Sequence, residues 1–282
     1  SYQADAVPPH ALWVRGRPLG ETVAQSVGVV GTRAATRYGI EATRQIATGL
    51  ATHQWTVVSG GALGIDTAAH EAALAAGGLT VVVAACGIDR TYPARNATLL
   101  ERIAGQGSWI SEYPPGTPPQ RHRFLTRNRL VAALTAGTVI VEAAWRSGAL
   151  NTLSWAEGLG RVTMAVPGPV TGSGSLGCHE RIKEGRAQLV TGSDDIRALL
   201  GAAGALDVAE QYELAFAATP VQALSRNELR VFDAVDPAGS EAQTVAEAAG
   251  LPLPLTVHLL LDLVRRGLLT RDGTVWRRDD TL

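Results

Sequence analysis

The chain has 282 residues, 46% of them hydrophobic, which suffices for one large domain with a substantial core and a smaller companion. Its formal net charge of −1 excludes a uniformly basic protein and confines any affinity for nucleic acid to a local patch. No apolar run reaches the roughly 18–20 residues of a membrane span, and the two cysteines, Cys86 and Cys178, form neither a disulfide framework nor a zinc spacing.

Residues 1–24 read as a lead-in carrying ALWVRGRPL. Apolar, β-branched runs then recur at 27–31, 55–59, 79–85, 107–111, 137–143 and 161–168, and Ala- and Leu-rich helical stretches separate most of them. Strands alternating with helices at this spacing predict an α/β fold over 25–200, a Rossmann-like, mostly parallel sheet with helices on both faces. Right-handed crossovers put its βα loops at the carboxyl edge, where ligands bind. Small residues around LLGAAGALDVAEQ predict a linker at 201–220. Over 221–282, three short helices and two strands joined through Asp272-Gly273 predict a winged-helix domain.

The first strand runs into Gly31, Thr32 and Arg33, and lacks the G-x-G-x-x-G of a dinucleotide site. After the second comes SGGALGIDTAAH, where Ser59, Gly60, Gly61 and Gly64 precede a helix. Glycines let the backbone approach an anion, and a helix start aims N–H groups at it, so this loop reads as a phosphate cradle with Arg33 beside it; a tight turn is the plainer alternative. Asp66 falls in the first helical turn, where it complements the dipole, and His70 reads as a packed histidine.

The stretch 121–134, RHRFLTRNRLVAAL, predicts a helix with Arg123 and Arg127 four apart on an exposed face, Phe124 and Asn128 nearby, and Leu130 and Leu134 inward. Guanidinium groups with an aromatic ring suit a nucleic-acid strand. A solvated basic face is the alternative, although little Asp or Glu in the stretch balances it. Ser147, Gly148 and Thr152, at the start of a later helix, are placed to close the same pocket. No spacing suggests a metal or a cofactor.

Together, GTR, SGGALGIDTAAH, CGIDRTYPARN, SEYPPGTPP, FLTRNR, VEAAWRSGALNT, VPGP and GCHERI resemble the DprA/Smf family of DNA-processing proteins, in order, over roughly residues 10 to 200. The resemblance implies a non-enzymatic cytoplasmic homodimer that binds and protects single-stranded DNA and loads RecA onto it in natural transformation. It places Arg33 and Ser59 to Gly61 in the phosphate pocket, with Arg127, Arg129 and Phe124 along the strand. Leu63 and His179 depart from the family pattern, which often has a basic residue at the first position and usually Asn at the second. A weak apolar run, Ile196, Leu199 and Leu200, suits a dimer contact.

The rival enzyme class is a nucleoside monophosphate hydrolase resembling the LOG enzymes. Aligning the Thr of its PGGxGTxxE motif with Thr152 puts Trp155 where the acid belongs, with Glu157 offset by two. A factor reading duplex DNA through the last domain is disfavoured by PLPLTVHLLLDL, which offers almost no base-edge donors.

Overall fold

The computed structural model describes residues 7–201, 221 and 224–278; residues 202–220 of the expected linker lie outside them. The chain divides into two units, Ser1–Asp207 and Val208–Leu282.

The first unit is built on one eight-stranded sheet, ordered β1-β5-β4-β3-β2-β6-β7-β8. The strands are β1 (Trp13–Gly16), β2 (Ser26–Gly31), β3 (Thr56–Ser59), β4 (Thr80–Ala84), β5 (Ser108–Ser111), β6 (Gly137–Val141), β7 (Val162–Ala165) and β8 (Gln188–Leu189). All pairings are parallel except that of β1 with β5. Its helices are α1 (Leu19–Val23), α2 (Arg37–Thr52), α3 (Ile65–Ala75), α4 (Ala97–Gln106), α5 (Arg121–Ala133), α6 (Ala149–Gly158), α7 (Leu176–Lys183) and α8 (Ser193–Leu200).

Alternate residues of one strand enter different cores. Val27, Val29, Val57, Val139 and Val141 pack with Ile46 and Leu50 of α2, Ala69 of α3 and Ile196 of α8. Val30, Val58, Val81, Val83 and Ile140 pack with Leu130 of α5, Leu153 of α6 and Cys178 of α7. Burial on both faces is why these strands read as unbroken apolar runs. The six expected strands are all present. Two others were not expected: β1, which lies in the lead-in and is mostly exposed, and β8, two exposed residues too short to carry a period.

Consecutive strands β2, β3, β4 and β5 step to one side, and β6 returns to pair with the other side of β2. The order therefore reverses between β2 and β6, opening a crevice at their carboxyl ends. Dimer contacts expected at the end of this unit are corrected in part. Ile196 is fully buried and Leu200 packs on the same core; only Leu199 is well exposed.

In the second unit, α9 (Arg226–Asp233), α10 (Ala242–Ala249) and α11 (Leu253–Arg265) enclose a core with β9 (Ser240–Glu241), β10 (Leu269–Asp272) and β11 (Val275–Arg278). A capping box opens α9, in which Glu228 N donates to Ser225 Oγ at 3.4 Å and Ser225 N to the Glu228 carboxylate at 2.6 Å. Among the described residues no single helix is long and apolar enough to cross a membrane.

His70 on α3 is fully buried, as expected of a packed histidine. Thr80 Oγ1 donates to Val57 O at 2.7 Å, so it accepts from His70 Nδ1, also at 2.7 Å, and Nε2 has no partner. Burial pulls the imidazole down to about 3, with the Arg127 charge acting in the same direction. An unfolded histidine takes its proton near 6.5, so between 6.5 and about 3 protons favour the unfolded chain and this contribution weakens as pH falls. Its limiting slope is about 1.4 kcal/mol per pH unit. His70→Gln, neutral throughout, should lose less stability than wild type between pH 7 and 4; parallel urea midpoints across that range would remove His70 as the cause.

Candidate nucleic-acid interface

The crevice is floored by strand ends that leave no room for side chains. A Cβ on Gly31 would fall 2.6 Å from Ile65 Cγ1 and against the Val141 carbonyl. Gly64 has φ +84°, and its Cβ would press on the Thr32 and Arg33 carbonyls, so only glycine lets the two βα loops meet. Ile65 N then donates to Thr32 O at 3.1 Å.

The expected open cradle is corrected here, because the chain supplies its own anion. Asp66 is buried in the first turn of α3, and its carboxylate accepts from Ala62 N at 3.2 Å. Burial raises its pKa, opposed first by the charge of Arg127 and then by the Ala62 amide. Ser59 is also committed inward: it is fully buried and its hydroxyl donates to Val29 O at 2.6 Å. Gly60, Ala62 and Asp66 thus line the cavity here, with the Ala62 amide already bonded to the Asp66 carboxylate.

Arg127 differs most from expectation. It is 5% exposed, not on a solvent face, and its Nη1 donates to Gly60 O at 2.6 Å and to Val83 O. Its Nε is buried with no partner. The reason is helical phase: Leu130 and Val131, three and four residues on, are buried, so Arg127 lies on the same inward stripe. Leu130 and Leu134 do point inward.

Arg129 is corrected too, being ion-paired with Glu112 with both side chains mostly covered. Glu112, just past β5, provides the balance missing from the helix's own sequence. Arg123 donates to Pro118 O at 2.6 Å and lies 5.0 Å from the Tyr113 ring centroid. Asn128 spans to α6, donating to Asn151 Oδ1 at 3.2 Å and Gly148 O at 3.4 Å.

What remains open is a cavity of about 820 Å³ between the loops after β2, β3 and β6 and the first turns of α5. Arg33, Arg121 and Arg146 line it, all exposed, and no carboxylate pairs with them among the described residues. The Arg33 guanidinium sits 5.4 Å from the centroid of Phe124, whose ring is 5.4 Å from that of Tyr92. Ser147 and Gly148 line the opposite wall, with Ser147 Oγ accepting from Ala149 N at 3.3 Å. Thr32 sits beside Arg33 and uses its hydroxyl on Ala34 N at 3.2 Å. Arg121, Arg146 and Tyr92 were not singled out from sequence. The two arginines had a signal nonetheless, since each stands where a helix or βα loop begins at the carboxyl edge.

Trp155 is buried where the hydrolase acid would be, and Glu157 is bound to Arg186 at 2.7 Å on exposed surface. Among the described residues no three His, Cys, Asp or Glu side chains group as a metal site. His179, in place of the usual Asn, uses Nε2 on the backbone of Gly168, 3.0 Å from its oxygen.

Residues 2–201 match the family model described as DNA recombination-mediator protein A. The chain belongs to that family. A Mycobacterium tuberculosis chain carrying the DprA name is 50% identical over 242 residues, covering 86% of this chain and 60% of the relative. The chain therefore spans about three fifths of the length of that relative. An X-ray structure of DNA processing protein A from Streptococcus pneumoniae aligns with a TM-score of 0.64 and 40% identity, over 67% of this chain and 66% of that one. A DNA processing protein A structure from Helicobacter pylori, described for its single-stranded DNA binding mode, aligns with a TM-score of 0.63 and 32% identity, over 69% and 88% of the respective chains.

The geometry separates structural from surface positions. Arg127→Ala strands the Asp66 carboxylate and should cost on the order of 3 kcal/mol in urea unfolding, with Asp66→Asn in the same chain restoring part of it. Gly60→Ala puts a Cβ 2.7 Å from Arg127 Cζ and should also destabilise, whereas a Cβ on Gly148 meets nothing within 4 Å and Gly148→Ala should stay within about 0.5 kcal/mol of wild type. Equal midpoints for all of these would refute the role given to Arg127.

Proposed function

We propose that this chain binds single-stranded DNA without strong sequence preference, protects it and hands it to RecA in natural transformation, working as a cytoplasmic homodimer without catalysis. The observation that carries the reading is the cavity at the strand-order reversal, lined by Arg33, Arg121 and Arg146, which have no carboxylate partner among the described residues, with Arg33 against the Phe124 ring and Tyr92 next to it. Such a site holds phosphates through guanidinium groups and bases through stacking, and leaves pairing edges unread. Arg33, Arg121, Arg146 and Phe124 make the primary contacts, with Thr32, Gly31, Ser147 and Gly148 as walls. Arg127, Arg129, Arg123, Asn128, Ser59, Gly60, Gly61 and Gly64 shape the site from behind. Membership of a recombination-mediator family supports the handover to RecA and the dimer.

The second unit reads as a winged helix that does not search duplex DNA. Its α11 exposes Leu253, Leu255 and Leu261, and Arg266 is held by Glu228 at 2.8 Å. These features suit packing or a protein partner better than base edges.

Titration of single-stranded and duplex oligonucleotides at two salt concentrations tests the binding. Three phosphate contacts on a single strand give a log–log salt slope of about −2, and Arg33→Ala or Arg146→Ala should weaken binding by about 1–3 kcal/mol without lowering stability. Equal affinity for duplex and single strand would refute the reading. For the handover, the protein should relieve the block to RecA strand exchange on DNA precoated with single-strand-binding protein; no relief would leave binding without mediation.

A further inference from the structure

The loop after β6 carries an aromatic side chain that the cavity does not use. Ser147 N donates to Ala144 O at 3.0 Å, closing a turn with Trp145 and Arg146 at its two central positions. The base of the turn is held: Ala143 is fully buried, and its carbonyl accepts from Gly177 N at 2.8 Å. Gly177 leaves no slack, since a Cβ there would fall 2.8 Å from Ala143 O and 2.9 Å from Ala144 O. Ala149 N donates to Ser147 Oγ and fixes the exit into α6.

At the tip of this held turn Trp145 is 58% exposed, whereas Trp55, Trp109, Trp155 and Trp276 are all buried. No ring, cation or hydrogen-bond partner meets it among the described residues. Its neighbour Arg146 lines the cavity without a carboxylate partner. The opposite wall carries the same pairing of chemistries, Arg33 and Arg121 with Phe124 and a half-exposed Tyr92. A lone exposed apolar residue is unremarkable on a protein surface. A tryptophan presented on a clamped turn next to an unpaired arginine is different, because the backbone loses no further freedom when something stacks on the indole.

The geometry points to Trp145 as a second stacking platform, which takes a base of single-stranded DNA outside the cavity as the strand passes over Arg146. This rests on the single-strand reading proposed above and extends the contact surface from the cavity to the β6 side of the sheet edge. Base–aromatic stacking tolerates any base, so the platform adds affinity and leaves specificity unchanged.

The full chain is titrated with oligo-dT of about 15 nucleotides, with binding read by anisotropy of a labelled strand and, separately, by intrinsic tryptophan emission. Trp145→Ala should weaken binding roughly five- to a hundredfold, the span of one base stack, with an unchanged urea midpoint. Trp145→Phe should recover part of that affinity, since a phenyl ring still stacks. Binding should quench wild-type emission, and the quench should vanish in Trp145→Phe. Wild-type anisotropy for Trp145→Ala overturns the platform and leaves the cavity reading intact. Absence of wild-type binding in the same titration overturns both, and an equal loss for duplex and single strand assigns Trp145 to general DNA contact and overturns the stacking role.

Discussion

The buried guanidinium of Arg127 is the constraint on which the rest of the site depends. It joins α5 to the loop after β3 through Gly60 O and to β4 through Val83 O, and it offsets the buried carboxylate of Asp66 at the start of α3. Three segments distant in sequence are thus fixed by one side chain. A buried charge is costly unless it is compensated, and here the charges of Arg127 and Asp66 each oppose the effect of burial on the other. The glycines of the loop follow from it, since a Cβ at Gly60 would occupy the place of the guanidinium.

This arrangement makes the cavity positive without making the protein basic. The chain's net charge is −1, and many of its arginines are taken up by partners: Arg129 by Glu112, Arg186 by Glu157, Arg15 by Glu101. Arg33, Arg121 and Arg146 have no carboxylate partner among the described residues where the strand order reverses. A local potential therefore arises from which arginines lack partners, and total charge is a poor guide to it. Walls of this kind suit a flexible polyanion better than a rigid duplex, because the cations and rings line a recess and do not form a flat stripe.

The same economy appears in the helix starts. Two amides after β3 are drawn to groups of the chain itself, Ala62 N to the Asp66 carboxylate and Ile65 N to Thr32 O. Exposed guanidinium groups lie at the rim, on Arg33, Arg121 and Arg146. Contacts made at such a rim can form and break without disturbing the core.

Sequence by itself determined the sheet, the glycine-bearing loops at its carboxyl edge and the family. Strands buried on both faces must be continuous and apolar, and Gly31 and Gly64 must stand where the loops after β2 and β3 meet, so both features are written locally. The ordered motifs from GTR to GCHERI carry the family, whose model covers 2–201. Which arginines face solvent was decided only by the tertiary structure. In RHRFLTRNR the cations look alike in sequence, yet Arg127 shares the inward stripe of Leu130 and Val131, and Arg129 finds Glu112 across a loop. Burial and pairing depend on neighbours far away along the chain, and no local pattern contains them.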